Sequence, residues 1–437
     1  MSPTIAILIG GLLAAGLLAA ASFNLYRKHI IDDLPTSKAR GVFIGLTELK
    51  GTAESEAPLT SYLAETKCVQ YAWQVDEQWR RVVTTTTTDA KGNTHVQTHV
   101  ETGWKRVADG GEAPPFYLKD DTDVIRIMPE GAKLQGDVSF NKTFTPTDAI
   151  YYGKCSAGAI ANSTHHRRFH ETAIPLHAML YVLGQARERE DVVAAEIAQA
   201  KTSPMFIIST RSEKQISRVY SIGWWVFVTL GLLIALGGGA GWAVLENTTG
   251  AALGWKPFVI MGAGYIGALI LIWVWTTYNS LINLHQRVKQ GWSQIEVQLK
   301  RRHDLIPNLV QAVAGYRGHE QETQAMVAEL RQQMEATPAG KAGPDYKGIT
   351  SVLRITVERY PELKASESFL KLQQNLADTE NRIALARDYF NDIATFYNTR
   401  LEIIPDRFLG VLAGMRPRSL MSAAEFERAP VTVKLAD

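Results

Sequence analysis

The stretch that decides the fold runs from Tyr278 to Tyr316 and reads YNSLINLHQRVKQGWSQIEVQLKRRHDLIPNLVQAVAGY. Its apolar residues recur mostly in steps of three and four, which keeps them on one face of a helix. Trp292, Ile295 and Leu299 are central positions of that face. Because an apolar run leads directly into the stretch, the sequence predicts a membrane span that continues as a rigid amphipathic stalk.

Two features interrupt the apolar face. The RRHD run at 301–304 puts charge near it, and two interpretations stay open: a solvated surface, or a paired polar layer that fixes the register of two helices. Pro307 lacks a backbone donor and crowds the preceding turn, so we expect a kink or break near residues 303–306.

A second long helix is predicted from Ser366 to Ile404, with Ile383, Phe390 and Tyr397 at matching helical spacing. The two long helices can therefore pack against each other at about 20°. Shorter helices are expected at 320–335 and 349–359. Three polar residues beside the second apolar face are interpreted as a structural layer: Arg387, Asn391 and Asn398.

These segments resemble the LemA family. The resemblance is carried by WSQIEVQLKRRHDLIPNLV, by YPELKASESFLKLQQNLADTENRIALARDYFNDIATFYN and by IIPDRFLGVL, in that order, over roughly the last 160 residues. It implies an anchor followed by a cytoplasmic antiparallel helical bundle. The family supplies no established catalytic residues.

Three apolar runs, at 5–23, 223–245 and 257–277, are each long enough to cross a bilayer of about 30 Å. The first has no basic residue before it, whereas Arg27 and Lys28 follow it, so it is interpreted as an uncleaved anchor. Basic residues also precede the second run and follow the third. The positive-inside bias then predicts an external N-terminus and two large cytoplasmic domains at the inner membrane.

Glycine-rich segments lie inside the second and third runs. GAGYIG at 262–267 satisfies the dinucleotide-binding pattern, but it lies in a span without a preceding strand, so close helix packing through small residues is the better explanation. The packing positions are predicted to be Gly238, Gly241, Gly264 and Gly267, against each other or against neighbouring subunits.

Residues 31–220 have a pattern typical of β-strands, rich in threonine and interrupted by glycine and aspartate turns. Hairpins are predicted at 79–107 and 115–128, later strands in LYVLGQA and MFIIST, and a helical insert near 145–161. The expected result is a small β barrel or sandwich.

This segment resembles the GIDE domain, which precedes a RING finger in a membrane-anchored ubiquitin ligase. The motifs are IDDLPTSKARGVFIGLTELKGTAES, PLTSYLAETKCVQYAWQV, PFYLKDDTDVIRI and YVLGQARE. The chain has two cysteines, Cys68 and Cys155, so the eight-ligand RING site cannot form within it. Reduced thiols are expected, although a disulfide between them stays open.

One cluster has reactive side chains, HHRRFH at 165–170. His166 and His170 have a spacing that ligates zinc on a helix, but neighbouring arginines oppose a cation and no carboxylate is suitably spaced. They are weak metal candidates, and a solvated loop or contact with anionic lipid heads is favoured. No other catalytic or cofactor motif is present, and a net charge of +2 gives no indication of nucleic-acid binding.

The sequence thus predicts a multi-domain α+β membrane protein with a GIDE-like β-rich domain, transmembrane helices and an antiparallel helical bundle. Its expected segments are an anchor at 1–30, a GIDE-like domain at 31–220, a transmembrane hairpin at 221–277, a LemA-like bundle at 278–410 and an extended tail at 411–437.

The functional prediction is a non-enzymatic scaffold without cofactors that self-associates in the lipid bilayer. The alternative is a ligase-like adaptor that recruits a modification or proteolysis machinery, with residues 31–220 as the surface for a cytoplasmic partner.

Overall fold

The computed structural model describes residues 3–88, 94–155, 158–189, 191, 194–200, 203–246, 254–315 and 367–421. The chain divides into two compact units, a β unit at Thr36–Gln215 and a helical unit that joins Met1–Pro35 to Ile216–Asp437. The fold is therefore mixed α+β, as the sequence predicts. The finer five-part division stays a prediction.

The β unit contains thirteen described strands and one short helix. In chain order these are β1 (Thr36–Ser37), β2 (Gly45–Glu54), β3 (Leu59–Thr60), β4 (Lys67–Thr88), β5 (Thr94–Glu112), β6 (Phe116–Lys119), β7 (Val124–Ile127), β8 (Lys133–Gln135), β9 (Asp137–Phe144), α2 (Ala149–Gly153), β10 (Ser163–Pro175), β11 (Met179–Glu188), β12 (Ala195–Ala198) and β13 (Ile207–Ser209). The predicted hairpin strands, later strands and helical insert are confirmed, while the first turn, at 89–93, lies outside the described residues.

One sheet of the β unit closes on itself. Its strands follow the order β1-β2-β6-β7-β12-β11-β13-β8, and β2 also pairs with β11, so five strands form a closed ring. Alternate side chains of these strands point inward and form one apolar core that includes Leu49, Leu118, Ile127, Val182 and Ile197. Closure removes two exposed sheet edges, which is the usual advantage of a barrel-like arrangement.

The second sheet is antiparallel. Strand β4 pairs with β5 on one side and β10 on the other, and β10 pairs with β9. No third described strand pairs with the distal part of the β4–β5 ribbon, and Val82, Val96 and Val100 are exposed there.

The helical unit is built from α1 (Pro3–Asp32), α3 (Glu213–Glu246), α4 (Lys256–Gly315), α5 (Glu367–Glu402) and α6 (Asp406–Leu412). Among the helices that the structure describes, three are long and apolar enough to cross a membrane, over Ile7–Asp32, Glu213–Val244 and Lys256–Arg302. The predicted helices at 320–335 and 349–359 lie outside the described residues.

Helix α4 continues through Pro307 as far as Gly315. Of the predicted kink or break near residues 303–306, the break is therefore wrong, and the kink stays a prediction. Proline removes only one backbone donor, and the hydrogen bonds of adjacent turns can hold a long helix together across it.

Candidate functional site

Helices α4 and α5 pack side by side in opposite directions. Their contacts pair Ser280 with Arg400 at one end and Arg302 with Glu380 at the other. Between them, the ring centroids of His285 and Tyr397 lie 5.4 Å apart, and those of Trp292 and Phe390 lie 5.6 Å apart. Residue numbers rise along α4 as they fall along α5, so the pair is antiparallel over about 33 Å.

The seam between these helices is apolar at the predicted spacing. Ile295 and Leu299 on α4 are buried, as are Ile383, Phe390 and Tyr397 on α5. These residues therefore lie where the periodicity predicts. Their side chains remove an apolar stripe from water along most of the contact, which is the main stabilising contribution available to such a pair.

Trp292 departs from its predicted place. Its side chain is 43% exposed, and the neighbouring Gly291 is buried against Phe390 instead. A Cβ on Gly291 would lie 3.6 Å from Phe390 Cδ2. The small residue brings α4 close to the phenylalanine, so the indole of Trp292 is left at the margin of the seam.

Arg302 settles the two interpretations of the 301–304 charges. Its side chain is only 5% exposed and pairs with Glu380 at 3.5 Å, whereas Arg301 is exposed. One arginine of the run is therefore part of a buried polar layer, and the other is solvated. A buried cross-helix pair disfavours sliding of one helix along the other, because a slip would strand a charge.

A second polar group lies where α1 ends, and we call it the basal ion cluster: Asp33, Ser280, Arg400 and Asp406. Arg400 Nη1 donates to both carboxylate oxygens of Asp33 at 2.8 Å, and Ser280 Oγ donates to Asp33 Oδ2 at 2.7 Å. Arg400 Nε donates to Asp406. The cluster joins the chain that follows α1 to α4, α5 and α6.

Burial and pairing act in opposite directions on Arg400. Burial alone would lower the pKa of its guanidinium, but the carboxylates of Asp33 and Asp406 outweigh that effect and raise it. Arg400 therefore stays charged. Because Asp33 accepts three hydrogen bonds in this buried setting, the geometry suits it for holding helices together rather than for accepting a proton from a substrate.

The end of α1 is also linked to the start of α3. Ser217 Oγ donates to Asp32 Oδ1 at 2.6 Å, and Lys28 pairs with the same carboxylate one turn earlier. Adjacent aspartates at 32 and 33 thus contact different helices. The sequence analysis did not select either of them, and a pair of charges at the end of an apolar helix was the available signal.

The segment after α6 lies along α5 in an extended conformation, and we call residues 415–421 the strap. Asn398 donates from Nδ2 to the carbonyl of Arg418 and accepts from its N–H, both at 2.8 Å. Asn391 makes the equivalent pair of bonds with Met421 at 2.9 and 2.8 Å. These two asparagines therefore bind the strap. The helix α6 runs to Leu412, past residue 411 where the extended tail was predicted to begin, and residues 422–437 of that predicted tail lie outside the described residues.

Comparisons with known proteins match two separate stretches of the chain. A family model described as the LemA family matches residues 291–435, and a GIDE model described as an E3 ubiquitin ligase matches residues 84–240. The chain joins a GIDE region to a LemA region. Both resemblances stated from sequence motifs are confirmed.

Individual relatives are distant. Protein LemA of Metamycoplasma hominis is 23% identical over 158 residues, which cover 35% of this chain and 72% of that protein. Magnetosome protein MamQ of Magnetospirillum gryphiswaldense is 24% identical over 171 residues, which cover 32% of this chain and 62% of that protein. Magnetosome protein MamQ 2 of Paramagnetospirillum magneticum is 21% identical over 198 residues, which cover 36% of this chain and 72% of that protein. The match thus spans less than two thirds of one MamQ relative.

The four glycines predicted to pack closely lie on α3 and α4, and they do not all contact another described helix. A Cβ on Gly10 would lie 2.9 Å from the Cα of Gly238, so α1 and α3 meet backbone to backbone there. By contrast, a Cβ on Gly264 or Gly267 would meet no described atom within 4 Å. Those two glycines therefore face away from the rest of the described chain. Their contact with a neighbouring copy stays a prediction, as does the role of Gly241, which is half-buried.

In the GIDE region, His166 and His170 lie on strand β10 rather than on a helix. Four residues along a strand separate Cα atoms by about 13 Å, too far for two side chains of this size to ligate one ion readily. Groups of three or more metal-ligating side chains are also absent from the described residues. The strand geometry therefore gives no support to the weak zinc alternative, and the favoured expectation of a solvated loop is wrong, because both residues lie on β10.

The same strand carries a buried ion pair that the sequence analysis missed. Arg167 and Glu77 are both fully buried and pair at 3.0 Å. Arg167 also donates to the carbonyls of Tyr151 and Gly158, at 3.0 and 2.8 Å. The strand alternation around HHRRFH could have indicated an inward arginine. The two cysteines are both free, so no disulfide joins them.

Proposed function

We propose that the protein is a membrane-anchored, non-enzymatic scaffold that self-associates and presents its GIDE and LemA regions to the cytoplasm. The observation that carries this proposal is the continuity of α4. This one helix begins in an apolar run, passes the basal ion cluster and forms the seam with α5. A rigid connection of this kind fixes the LemA region relative to the bilayer, which is what a scaffold requires.

Exposed apolar residues support the membrane assignment. Leu271 and Trp275 on α4 are more than 70% exposed, and Leu233 on α3 is 63% exposed. Large apolar side chains exposed on two helices are costly in water, whereas hydrocarbon tails would cover them. We assign the protein to the inner membrane with an external N-terminus, because basic residues are concentrated at one end of the three apolar helices.

Self-association is supported by the open glycines of α4. Gly264 and Gly267 leave a strip of exposed backbone on a helix that would lie in lipid, and small residues let another helix approach closely. The relatives' names denote a family and a cellular structure and specify no reaction. We therefore place the activity of the protein in membrane organisation or a stress response rather than in bond-making.

The mass of the protein in lipid nanodiscs formed directly from membranes tests self-association. We expect oligomers that dissociate when Gly264 and Gly267 are both replaced by leucine. Gly11→Leu is the matched control, because Gly11 also has no neighbour within 4 Å but lies on α1. A monomer at every concentration would reject the scaffold proposal.

Cysteine labelling tests sidedness. Lys300→Cys, in a chain with Cys155→Ser, introduces an exposed thiol on α4 beyond the apolar run. We expect a membrane-impermeant maleimide to label it only after the cells are opened. Labelling in intact cells would reverse the proposed orientation.

The match to a ubiquitin-ligase family model favours one second candidate, a ligase-like adaptor that recruits a modification or proteolysis machinery through residues 31–220. With two cysteines the chain cannot build a RING site alone, so we rank this second. Pull-down with the full chain should then recover that machinery in a manner that depends on the GIDE region. Transfer of a modifier by the purified protein without a partner would overturn our ranking.

A further inference from the structure

A cavity of about 410 Å³ lies in the LemA region between α4, α5 and the strap. Val288 and Phe390 form its floor, and both are buried. The indole of Trp292 forms one wall, and strap residues 418–421 form the opposite one. This volume is in the range of sites that bind small molecules.

The aromatic wall has a fixed orientation. Trp292 packs edge-on against Phe390, and its indole N–H donates to Glu296 Oε1 at 2.7 Å. The ring is therefore held from two sides, although it is 43% exposed. A flat ring fixed beside a buried apolar floor offers a surface on which an apolar or aromatic ligand can stack.

The rim carries two cations from different elements. Lys289 projects from α4 and Arg418 from the strap, and neither makes an ion pair with any residue that the structure describes. The guanidinium of Arg418 contacts the imidazole of His285, with Nη2 and Nε2 3.4 Å apart. None of the described residues that line the cavity is a carboxylate, and Glu296, one turn away, accepts the indole hydrogen bond. The rim thus complements an anionic group.

The strap wall is held by its backbone. Asn391 and Asn398 are seven residues apart on a helix, a rise of about 10.5 Å, and their partners Arg418 and Met421 are three residues apart in an extended segment, a span of about 10 Å. The two spacings match. Because all four bonds go to backbone atoms, the side chains of Arg418, Ser419 and Leu420 stay available to line the cavity.

We propose that this cavity binds a small molecule with an aromatic or short aliphatic body and a single carboxylate or phosphate. The body stacks on Trp292 over the apolar floor, and the anionic group lies between Lys289 and Arg418. This role goes beyond scaffolding and does not depend on it.

A free molecule is favoured over the headgroup of a bilayer lipid. Lys289 lies twelve residues beyond Thr277, where the apolar run ends, which corresponds to about 18 Å of helix. A headgroup would have to leave the interface to reach the rim.

The test uses the full chain in nanodiscs of zwitterionic lipid and follows the ¹⁹F NMR signal of 6-fluoro-2-naphthoate. The neutral amide of the same compound is the matched probe. We expect saturable broadening with the naphthoate and weaker binding of the amide. Arg418→Gln and Lys289→Gln should each weaken naphthoate binding about fivefold, because each removes one exposed charge contact.

Lys300→Gln is the control variant, since Lys300 is exposed on the same helix outside the cavity. It should bind the naphthoate as the parent does. The double variant Asn391→Ala/Asn398→Ala should also bind weakly while its helical circular dichroism is retained, because it releases the strap wall.

Three results would overturn the proposal: no saturable binding, equal binding of the amide, or equal losses in Lys300→Gln and Arg418→Gln. A last arm replaces part of the lipid with an anionic lipid. Unchanged affinity for the naphthoate supports a free small molecule as the ligand. If the anionic lipid competes with the naphthoate, the ligand is a lipid headgroup instead and the assignment of a free molecule is overturned.

Discussion

The basal ion cluster makes a quantitative prediction. Arg400→Gln removes the partner of Asp33 and leaves a buried carboxylate whose remaining donor is Ser280. The side chains of Arg400 and Asp33 are only 15% and 12% exposed, so solvent screens the lost interaction weakly. Breaking a buried pair from one side costs about 3–5 kcal/mol. We expect Arg400→Gln to lower the free energy of unfolding by about 3 kcal/mol, the lower end of this range, because the cluster lies at the edge of the buried seam.

A double-mutant cycle with Asp33→Asn separates the pair from other effects of each change. Asn in place of Asp33 removes one of the two charges that Arg400→Gln strands, the other being Asp406, so the double variant should recover about 2 kcal/mol relative to the sum of the single variants. Unfolding is measured by pulse proteolysis of the full chain in mixed detergent micelles.

Arg382→Gln is the matched control, because Arg382 lies on the same helix and pairs with Asp378 four residues away at 2.8 Å. That pair is more than 30% exposed on both sides and should contribute about 0.3–0.5 kcal/mol. Equal losses in Arg400→Gln and Arg382→Gln, or strict additivity in the cycle, would refute the view that the cluster fastens the helices together.

Three further predictions follow from burial and close contacts. Gly10→Ala should destabilise the helical unit by about 1–3 kcal/mol, because its Cβ would meet the Gly238 backbone, whereas Gly11→Ala should be tolerated; thermal unfolding in detergent compares the two. Tyr397→Phe should be neutral or stabilising by about 1 kcal/mol in the pulse-proteolysis assay, because the hydroxyl is buried without a described partner; a marked loss would contradict this. Burial raises the pKa of Glu48, with Glu213 acting in the same direction, so the folded protein binds more protons than the unfolded chain above the usual carboxyl pKa. The stability of the β unit should therefore fall as pH rises from the usual carboxyl pKa to the raised pKa of Glu48 in the folded protein. Glu48→Gln should remove this pH dependence of stability, as measured by hydrogen exchange on β2.

Much of the helical seam could be predicted because the periodicity of a helix is local. Ile295, Leu299, Ile383 and Tyr397 are all buried where steps of three and four put them. Trp292 could not be predicted in the same way. Its place at the margin depends on the approach of Phe390 to Gly291, which is a property of the partner helix.

The polar contacts of the candidate site were harder to anticipate. Asn391 and Asn398 were selected as a polar layer, but they bind the backbone of the strap, 30 and 20 residues further along the chain. Asp33 and Arg400 are 367 residues apart. No local pattern relates residues at such separations, so only the folded chain shows that they meet.

Helices, hairpins, apolar runs and the two family resemblances were fixed by the order of residues along the chain, since each depends on neighbours a few positions away. The weak metal alternative for His166 and His170 assumed a helix, and on strand β10 the same four-residue spacing holds the two side chains far apart. Tertiary structure alone decided which charges are buried, which glycines touch another backbone and where the strap lies. Those features depend on distances between remote segments, which arise only when burial of apolar surface brings the segments together.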